Sequence, residues 1–412
     1  MAVDTLVVVG ASLAGLRAAE AARRAGHEGV IVLVGAEEHL PYDRPPLSKA
    51  YLAADEPAET TYREESVLTG ELGIELLLGA PATGLDPATR TLAVDDREIA
   101  YDALVLATGA HARTLPIAEP AMRGVFTLRG LDDARALRAA LRDATPRVTV
   151  VGAGFIGSEI ASVARGLGLE TTIVEVATTP LARAIGERMG ATCTALHERH
   201  GTTLRTGVGL EEILGEDHVT GVRLTDGATI DTDVLVVGVG ARPTTGWLDG
   251  SGLTLDDGVV CDETLCAAPG VYAAGDLARW PNGLFGEQMR LEHWTTAAEQ
   301  GAAAARNALD PSTAAAAYTT TPYFWSDWYS SRIQFVGLAD GDEVAVVRGD
   351  TDDGAFCALY RRGDALVGAL ALDMRAEVMK YKRLITQGSK WEDALEFARG
   401  RREKDRTPEG GR

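Results

Sequence analysis

Two glycine-rich segments hold the residues whose types and spacing point most directly to chemistry. GASLAG at 10–15 follows the run LVVV, GAGFIG at 152–157 follows VTVV, and a predicted helix comes after each. In such loops the first glycine makes a tight turn, the second lets the backbone approach a pyrophosphate, and the third lets the helix pack on the strand. The free N–H groups of the helix N-terminus favour the phosphate anion. The predicted phosphate-binding residues are Gly10, Ser12, Ala14 and Gly15 in one loop and Gly152, Gly154, Phe155, Ile156 and Gly157 in the other.

The second loop is followed by a residue that predicts its nucleotide. A strand from Thr171 to Val174 ends at Glu175, and no Arg or Lys follows at 176–179. A carboxylate there binds the hydroxyls of an adenosine ribose and repels a 2′-phosphate. The sequence therefore predicts NADH rather than NADPH.

The first loop departs from the pattern at two places. Ser12 occupies the position of the second glycine, and the strand from Val30 to Val34 ends in Gly35 and Ala36 rather than in an acid. The ribose carboxylate is therefore displaced or absent at its usual place, and Glu37 is the candidate.

Other predicted strands also end in residues whose backbone would lie at the carboxyl edge of a sheet. Asp102–Ala107 ends at Thr108 and Gly109. Ligands of open α/β sheets bind at the carboxyl ends of strands, so these positions are candidate cofactor contacts. The others are Gly238, Val239 and Gly240 after a strand at 234–237, and Gly275 and Asp276 after one at 271–274.

Length, composition and net charge limit the classes of protein to which the chain can belong. A chain of 412 residues with 46% apolar residues suits two or three packed domains. A net charge of −20 argues against nucleic-acid or anionic-membrane binding. Four cysteines and no long apolar run predict a cytoplasmic protein. The segment from Thr319 onward is close to neutral, unlike the acidic remainder.

Five strings in order carry a family resemblance. They are PYDRPPLSK at 41–49, LVLATG at 104–109, GVYAAGD at 270–276, EHW at 292–294 and PYFWSD at 322–327. With the two glycine loops, they make the chain resemble the two-dinucleotide flavoprotein reductases, and within them the NADH-dependent ferredoxin reductases of bacterial oxygenase systems.

The resemblance implies a glutathione-reductase-like α/β fold with two Rossmann-like domains and a C-terminal α+β domain. It implies FAD bound by 1–107 and 243–318, NAD bound by 108–242, and a C-terminal domain at 319–412. Alternating strands near 333–338, 343–348, 355–360 and 365–372, and a helix from about Arg375, agree with the last of these.

The resemblance also implies roles for single residues. Lys49 is the lysine near flavin N5, paired with Glu159; Phe155 is the aromatic that covers the flavin; and Trp294, at a helix start, is the aromatic between flavin and acceptor. We take Lys49, Glu159 and Trp294 as catalytic candidates. The remaining predicted cofactor contacts are Arg44, Pro45, Ala82, Arg129, Arg183, Glu292 and His293.

The acceptor that the resemblance implies is an iron–sulfur ferredoxin that feeds an oxygenase such as a haem-thiolate monooxygenase. Its predicted docking surface is the near-neutral C-terminal segment, because ferredoxins are typically acidic. Trp328 stands where the family commonly has Gln, on the predicted acceptor side. The basic residues expected there are Lys380, Lys382, Arg383, Arg399, Arg401, Arg402 and Lys404.

Cysteine and histidine placement argues against other chemistry. Cys261 and Cys266 have the CxxxxC spacing of disulfide reductases, but those enzymes carry the pair in the stretch that here reads YDRPPLSKAYL. We expect two inert thiols. His197 and His200, three apart on a predicted helix, are expected to face solvent, and no metal site is expected.

Two alternatives stay open at this point. The same enzyme class could reduce rubredoxin, monodehydroascorbate, a quinone or oxygen. Apoptosis-inducing-factor-like proteins share the RPPLS string and act partly as redox or binding proteins, although their nucleic-acid binding needs a basic surface that a net charge of −20 does not offer.

Overall fold

The computed structural model describes residues 3–117, 122–310 and 316–406, with side chains to Arg401. The chain forms two compact units. Unit 1 comprises Met1–Pro45, Glu59–His111 and Ala241–Thr320; unit 2 comprises Pro46–Ala58, Ala112–Gly240 and Thr321–Arg412. The three-domain assignment from the sequence stays a prediction.

The strands, in chain order, are β1 (Thr5–Val9), β2 (Val30–Val34), β3 (Ile74–Leu77), β4 (Ala82–Asp86), β5 (Thr91–Val94), β6 (Arg97–Ala100), β7 (Ala103–Leu106), β8 (Ala110–Ala112), β9 (Val125–Phe126), β10 (Val148–Val151), β11 (Thr171–Glu175), β12 (Thr203–Thr206), β13 (Leu210–Leu214), β14 (Gly221–Leu224), β15 (Thr229–Asp231), β16 (Val234–Val237), β17 (Ala241–Pro243), β18 (Val259–Val260), β19 (Cys266–Ala268), β20 (Val271–Ala273), β21 (Ala278–Asn282), β22 (Glu287–Arg290), β23 (Tyr323–Trp328), β24 (Ser331–Gly337), β25 (Glu343–Asp350), β26 (Ala355–Arg362) and β27 (Ala365–Leu372).

The helices are α1 (Leu13–Arg24), α2 (Ala50–Ala53), α3 (Leu131–Ala140), α4 (Phe155–Gly166), α5 (Ala182–Ile185), α6 (Glu187–Arg199), α7 (Trp294–Leu309), α8 (Arg375–Thr386) and α9 (Trp391–Arg406). Short turns of other helix types occur at Pro45–Ser48, Val67–Glu71 and Gly246–Leu248. Within the described ranges, no helix has the length and apolar character needed to span a bilayer.

Unit 1 is built on a six-stranded sheet in the order β19-β20-β7-β1-β2-β3. Strand β1 pairs in parallel with both β2 and β7, so it lies centrally, and Leu6 to Val8 are fully buried. Strands buried on both faces read as continuous apolar runs, which is why LVVV was recognisable in the sequence. The first glycine loop leaves the carboxyl end of β1 and leads directly into α1.

Unit 2 contains the second such arrangement and a different sheet. Strands β12-β11-β10-β16-β9 form a parallel sheet, and α4 follows β10 through the second glycine loop. Strands β23-β24-β27-β26-β25 form an antiparallel sheet, with α8 and α9 following in the chain. The four strands predicted beyond residue 330 are present, whereas β23, which carries the PYFWSD string, was not predicted as a strand.

Candidate dinucleotide-binding and redox sites

The first glycine loop has no room for side chains at its ends. Gly10 has φ +114°, and a Cβ there would lie 2.1 Å from the carbonyl oxygen of Ala107. A Cβ on Gly15 would lie 1.9 Å from the carbonyl oxygen of Gly10. The loop and the start of α1 therefore pass within backbone contact of each other. This geometry leaves the first N–H groups of α1 open to a phosphate.

Ser12, at the place of the second glycine, is linked to the candidate ribose acid. Arg44 Nε donates to Ser12 Oγ at 3.3 Å, and Arg44 Nη2 donates to Glu37 Oε1 at 2.6 Å. Tyr42 donates its hydroxyl proton to Glu37 Oε2 at 2.5 Å. Burial opposes ionisation of Glu37, but Arg44 and Tyr42 outweigh it and lower the pKa of this carboxyl. Glu37 is thus held as an anion beside the first loop.

Helix α7 completes this cradle within unit 1. It packs so closely on α1 that a Cβ on Gly301 would lie 2.1 Å from the carbonyl oxygen of Ala14. Gln300 Oε1 accepts a hydrogen bond from the N–H of Gly275 at 2.9 Å. Thr296 Oγ1 and Gln300 Nε2 are buried and have no hydrogen-bond partner among the described residues. Buried polar atoms need hydrogen-bond partners, and the polar groups of a bound FAD would supply them here.

Thr296 and Gln300 were missed from the sequence. The sequence feature that could have indicated them is a pair of polar residues four apart, on a helix whose other buried residues are mainly Ala and Gly. Asp276, which was predicted, is half-buried. Burial alone would lower the pKa of the Arg44 guanidinium, but the nearby Tyr42, Glu37 and Asp276 together raise it.

Trp294 begins α7 and is held by two groups. Its indole Nε1 donates to Asp43 Oδ1 at 2.8 Å and to the Tyr62 hydroxyl at 3.0 Å. Tyr62 in turn donates to Asp43 Oδ1 at 2.6 Å. Burial and this bond to Asp43 raise the pKa of Tyr62. Trp294 is half-buried, and its role as an aromatic facing an acceptor stays a prediction.

The second loop repeats the geometry of the first in unit 2. Gly152 has φ +102°, and a Cβ there would lie 2.3 Å from the carbonyl oxygen of Gly238. A Cβ on Gly157 would lie 2.2 Å from the carbonyl oxygen of Gly152, whereas one on Gly154 would meet nothing within 4 Å. The open space at Gly154 is what close approach by a ligand requires. Gly154 is also the N-cap of α4, so the helix dipole acts at this point.

Glu175 lies at the end of β11 and turns back to the loop. Its Oε2 accepts the N–H of Ala153 and its Oε1 accepts the N–H of Ala177, both at 2.8 Å. The carboxylate is thus fixed beside the glycine loop, where an adenosine ribose is expected. The next residue, Val176, is 75% exposed, an apolar surface next to the carboxylate.

Glu159, in the first turns of α4, is the carboxylate of the predicted catalytic set, and three side chains donate to it. It is 2% exposed. Lys49 Nζ lies 2.7 Å and Ser48 Oγ 2.5 Å from Oε2, and Ser326 Oγ lies 2.5 Å from Oε1. The Lys49–Glu159 pair implied by the family resemblance is therefore present, and the two serines are additional donors that no sequence pattern could place.

The expectation that His197 faces solvent is wrong. His197 is fully buried: its Nε2 lies 3.0 Å from Ser158 Oγ, and its Nδ1 lies 2.7 Å from the Tyr329 hydroxyl. Its ring stacks on Trp328 at a centroid distance of 4.9 Å. Burial lowers the pKa of His197 to about 4, so the ring is neutral at pH 7. The antiparallel sheet covers the buried face of α6, which helix spacing alone could not show. His200 is exposed, as expected.

The other predicted cofactor contacts lie at or near the ends of strands and helices. Thr108 and Gly109 follow β7, and Thr108 Oγ1 donates to the carbonyl of Thr244 at 2.9 Å. Arg129 precedes α3, and its N–H donates to Asp133 at 2.8 Å. The rest are placed as follows: Ala82 begins β4, Arg183 is exposed in α5, Gly238, Val239 and Gly240 follow β16, and Glu292 and His293 precede α7.

The cysteines show no sign of redox activation. Four cysteines are present as free thiols. Burial raises the pKa of Cys261 to about 12 and also raises that of Cys266. A thiol must ionise to act as a nucleophile, so the raised pKa of both groups agrees with the prediction of two inert thiols.

Comparison with known proteins places the chain in a family. The model of the pyridine nucleotide-disulphide oxidoreductases matches residues 4–301, and that of a reductase C-terminal domain matches 323–397. The chain belongs to the pyridine nucleotide-disulphide oxidoreductase family. The predicted fold class and family resemblance are thereby confirmed.

Its relatives define the branch of that family. It is 35% identical to rhodocoxin reductase of Rhodococcus erythropolis, covering 92% of this chain and 89% of that one. It is 36% identical to the biphenyl dioxygenase system ferredoxin–NAD(+) reductase component of Paraburkholderia xenovorans, covering 93% of each. The reductase in a crystal structure of a covalent putidaredoxin reductase–putidaredoxin complex superposes with a TM-score of 0.89, at 32% identity over 93% of each chain.

Proposed function

We propose that this protein is an FAD-dependent reductase that takes hydride from NADH and delivers electrons singly to an iron–sulfur ferredoxin, which feeds an oxygenase. The observation that carries the proposal is the pair of glycine loops, each with its own fixed carboxylate, in a chain whose four cysteines are free thiols. A hydride carries two electrons and a ferredoxin accepts one, so one NADH reduces two ferredoxin molecules and releases one proton. Bound FAD supplies this conversion.

The residues of the chain divide the remaining work. Gly10–Gly15, Arg44 and the polar face of α7 bind FAD, and Gly152–Gly157 with Glu175 bind and select NADH. Lys49, fixed by Glu159, places a cation near the reacting edge of the flavin, which favours the electron-rich reduced form. We also propose a cytoplasmic location, since four unpaired thiols suit a reducing compartment.

An anaerobic titration tests the proposal. The purified protein should be yellow, and NADH should bleach the flavin bands far faster than NADPH does. Cytochrome c reduction should then depend on added ferredoxin. A colourless protein that FAD does not reconstitute would overturn the proposal.

Glu175 should control the choice of nucleotide. Replacing it with glutamine removes the charge that repels a 2′-phosphate and weakens the bonds to the ribose. We expect Glu175→Gln to lower the NADH over NADPH preference in kcat/KM by about tenfold or more. Glu170→Gln is the matched control, because Glu170 is exposed just before the opposite end of β11. Equal preference ratios in both variants would rule out this role for Glu175.

Two of the basic residues predicted to dock ferredoxin are engaged with a carboxylate of the same chain. Lys380 and Arg401 bind Glu377 at 2.8 and 3.0 Å, and Arg348 joins them at 3.1 Å, so these three cations share one carboxylate and reversing any of them would also disturb that cluster. Lys382 lies 5.7 Å from the centre of the Tyr323 ring. Arg383 and Arg399 are exposed, and the side chains of 402 and 404 lie outside the described residues.

Charge reversal on α8 should therefore weaken docking most clearly at Arg383. We expect Arg383→Glu, alone or with Lys382→Glu, to raise KM for ferredoxin about tenfold at low salt. Ferricyanide reduction should be unchanged, because it needs no docked protein. Reversal at Lys380, which the sequence also suggested, would disturb the Glu377 cluster as well. Arg97→Glu, an exposed position on β6, applies the same charge change elsewhere, and an equal rise in KM there would contradict a specific surface.

A further inference from the structure

The buried carboxylate of Glu159 is held at both of its oxygens. Lys49 and Ser48 bind Oε2, while Oε1 has a different partner, the hydroxyl of Ser326 on β23. Ser326 is fully buried, so its hydroxyl is out of contact with bulk solvent. The orientation of this single hydroxyl therefore decides whether Oε1 receives a donor.

Trp328 sets that orientation. Its indole Nε1 lies 2.8 Å from Ser326 Oγ. An indole N–H only donates, so the serine oxygen must accept from it. The serine proton is then directed to the remaining acceptor, Oε1 of Glu159. A carboxamide at this position would offer both a donor and an acceptor and would leave this direction open, whereas tryptophan leaves one choice.

Trp328 is itself immobilised. It is fully buried, and its ring stacks on His197 with 25° between the planes. His197 is fixed through Ser158, the neighbour of Glu159 on α4, and through Tyr329. Phe155 lies on the same indole at a centroid distance of 6.2 Å. The indole N–H thus has little freedom to leave Ser326.

We propose that Trp328, acting through Ser326, is a positioning residue that fixes the Glu159 carboxylate and, through it, the ammonium group of Lys49. The inference rests on the proposed function, in which Lys49 acts beside the flavin. Holding Oε1 prevents the carboxylate from rotating, so Oε2 keeps one direction for Lys49. Small displacements of such a group lower the rate of hydride transfer more than they weaken nucleotide binding.

The test compares two phenylalanine variants of the holoenzyme. Trp328→Phe keeps an aromatic ring against His197 and removes the N–H. Trp280→Phe is the matched control, because Trp280 is also fully buried and donates its indole N–H, to the Tyr318 carbonyl at 3.1 Å in unit 1. Anaerobic stopped-flow mixing gives the limiting rate of flavin reduction and the Kd for NADH separately. The long-wavelength absorbance of the nicotinamide–flavin stack provides a readout independent of turnover.

We expect Trp328→Phe to lower the limiting rate about tenfold, to leave the Kd for NADH within about twofold, and to alter the long-wavelength band. Trp280→Phe should change none of the three. Ser326→Ala should have the same effect as Trp328→Phe, and the double variant should be no slower than Ser326→Ala, because the tryptophan acts through the serine.

Two results would overturn the inference: equal behaviour of Trp328→Phe and Trp280→Phe, or additive effects in the double variant. Neither result would contradict the proposed function. That function is contradicted instead if NADH does not reduce the flavin of the unaltered protein. The two failures are therefore distinguishable in one set of mixing experiments.

Discussion

Replacing Gly157 with alanine should give a yellow, folded protein that NADH reduces at least about 100-fold less efficiently, measured as kcat/KM. The added Cβ would lie 2.2 Å from the carbonyl oxygen of Gly152. Backbone, unlike the end of a flexible side chain, cannot move aside locally, so α4 must shift away from the loop. The NADH pyrophosphate should then lose its place on the helix N-terminus, whereas FAD, which we propose to bind at the first loop in unit 1, should be retained.

The matched control lies on the same helix. A Cβ on Gly166 meets nothing within 4 Å, so Gly166→Ala should leave NADH kinetics unchanged and stabilise α4 slightly. Flavin content from the visible spectrum and circular dichroism separate a binding defect from unfolding. If Gly157→Ala retained normal kcat/KM for NADH, the second loop would not be the NADH site.

The parts of the fold that the sequence predicted are those with strong local signals. Buried parallel strands gave apolar runs, and the loops after β1 and β10 each begin and end with a glycine at a position that tolerates no Cβ. Glu175 was predictable because it ends the strand that follows the second glycine loop and its helix. The Lys49–Glu159 pair was predicted only through the family resemblance, because no local pattern joins residues 110 positions apart.

The parts that could not be predicted depend on packing between distant segments. Ser326 reaches Glu159 because β23 lies against α4, and nothing in either segment alone indicates this. His197 was misjudged for the same reason, since a histidine on a helix looks solvated until another element covers it. Thr296 and Gln300 become candidates only when their missing hydrogen-bond partners are seen.

Removing the cation of the buried pair should destabilise the protein as well as slow it. Lys49→Met leaves the Glu159 carboxylate, 2% exposed, with serine donors but without Lys49. Breaking a buried ion pair from one side costs about 3–5 kcal/mol, because the remaining charge stays desolvated. We expect the free energy of unfolding in urea, followed by circular dichroism, to fall by that amount. The limiting rate of flavin reduction should fall about tenfold or more as well.

A second substitution separates the two effects. Adding Glu159→Gln removes the stranded charge while keeping the side-chain volume, so the double variant should regain most of the lost stability. Its flavin reduction should stay slow, because no cation is restored. Lys390→Met, an exposed position before α9, should change the free energy of unfolding by less than about 0.5 kcal/mol. If Lys49→Met matched that control in stability, the carboxylate would be balanced by groups other than Lys49; if the double variant also regained the rate, the lysine would act through structure alone and not through its charge.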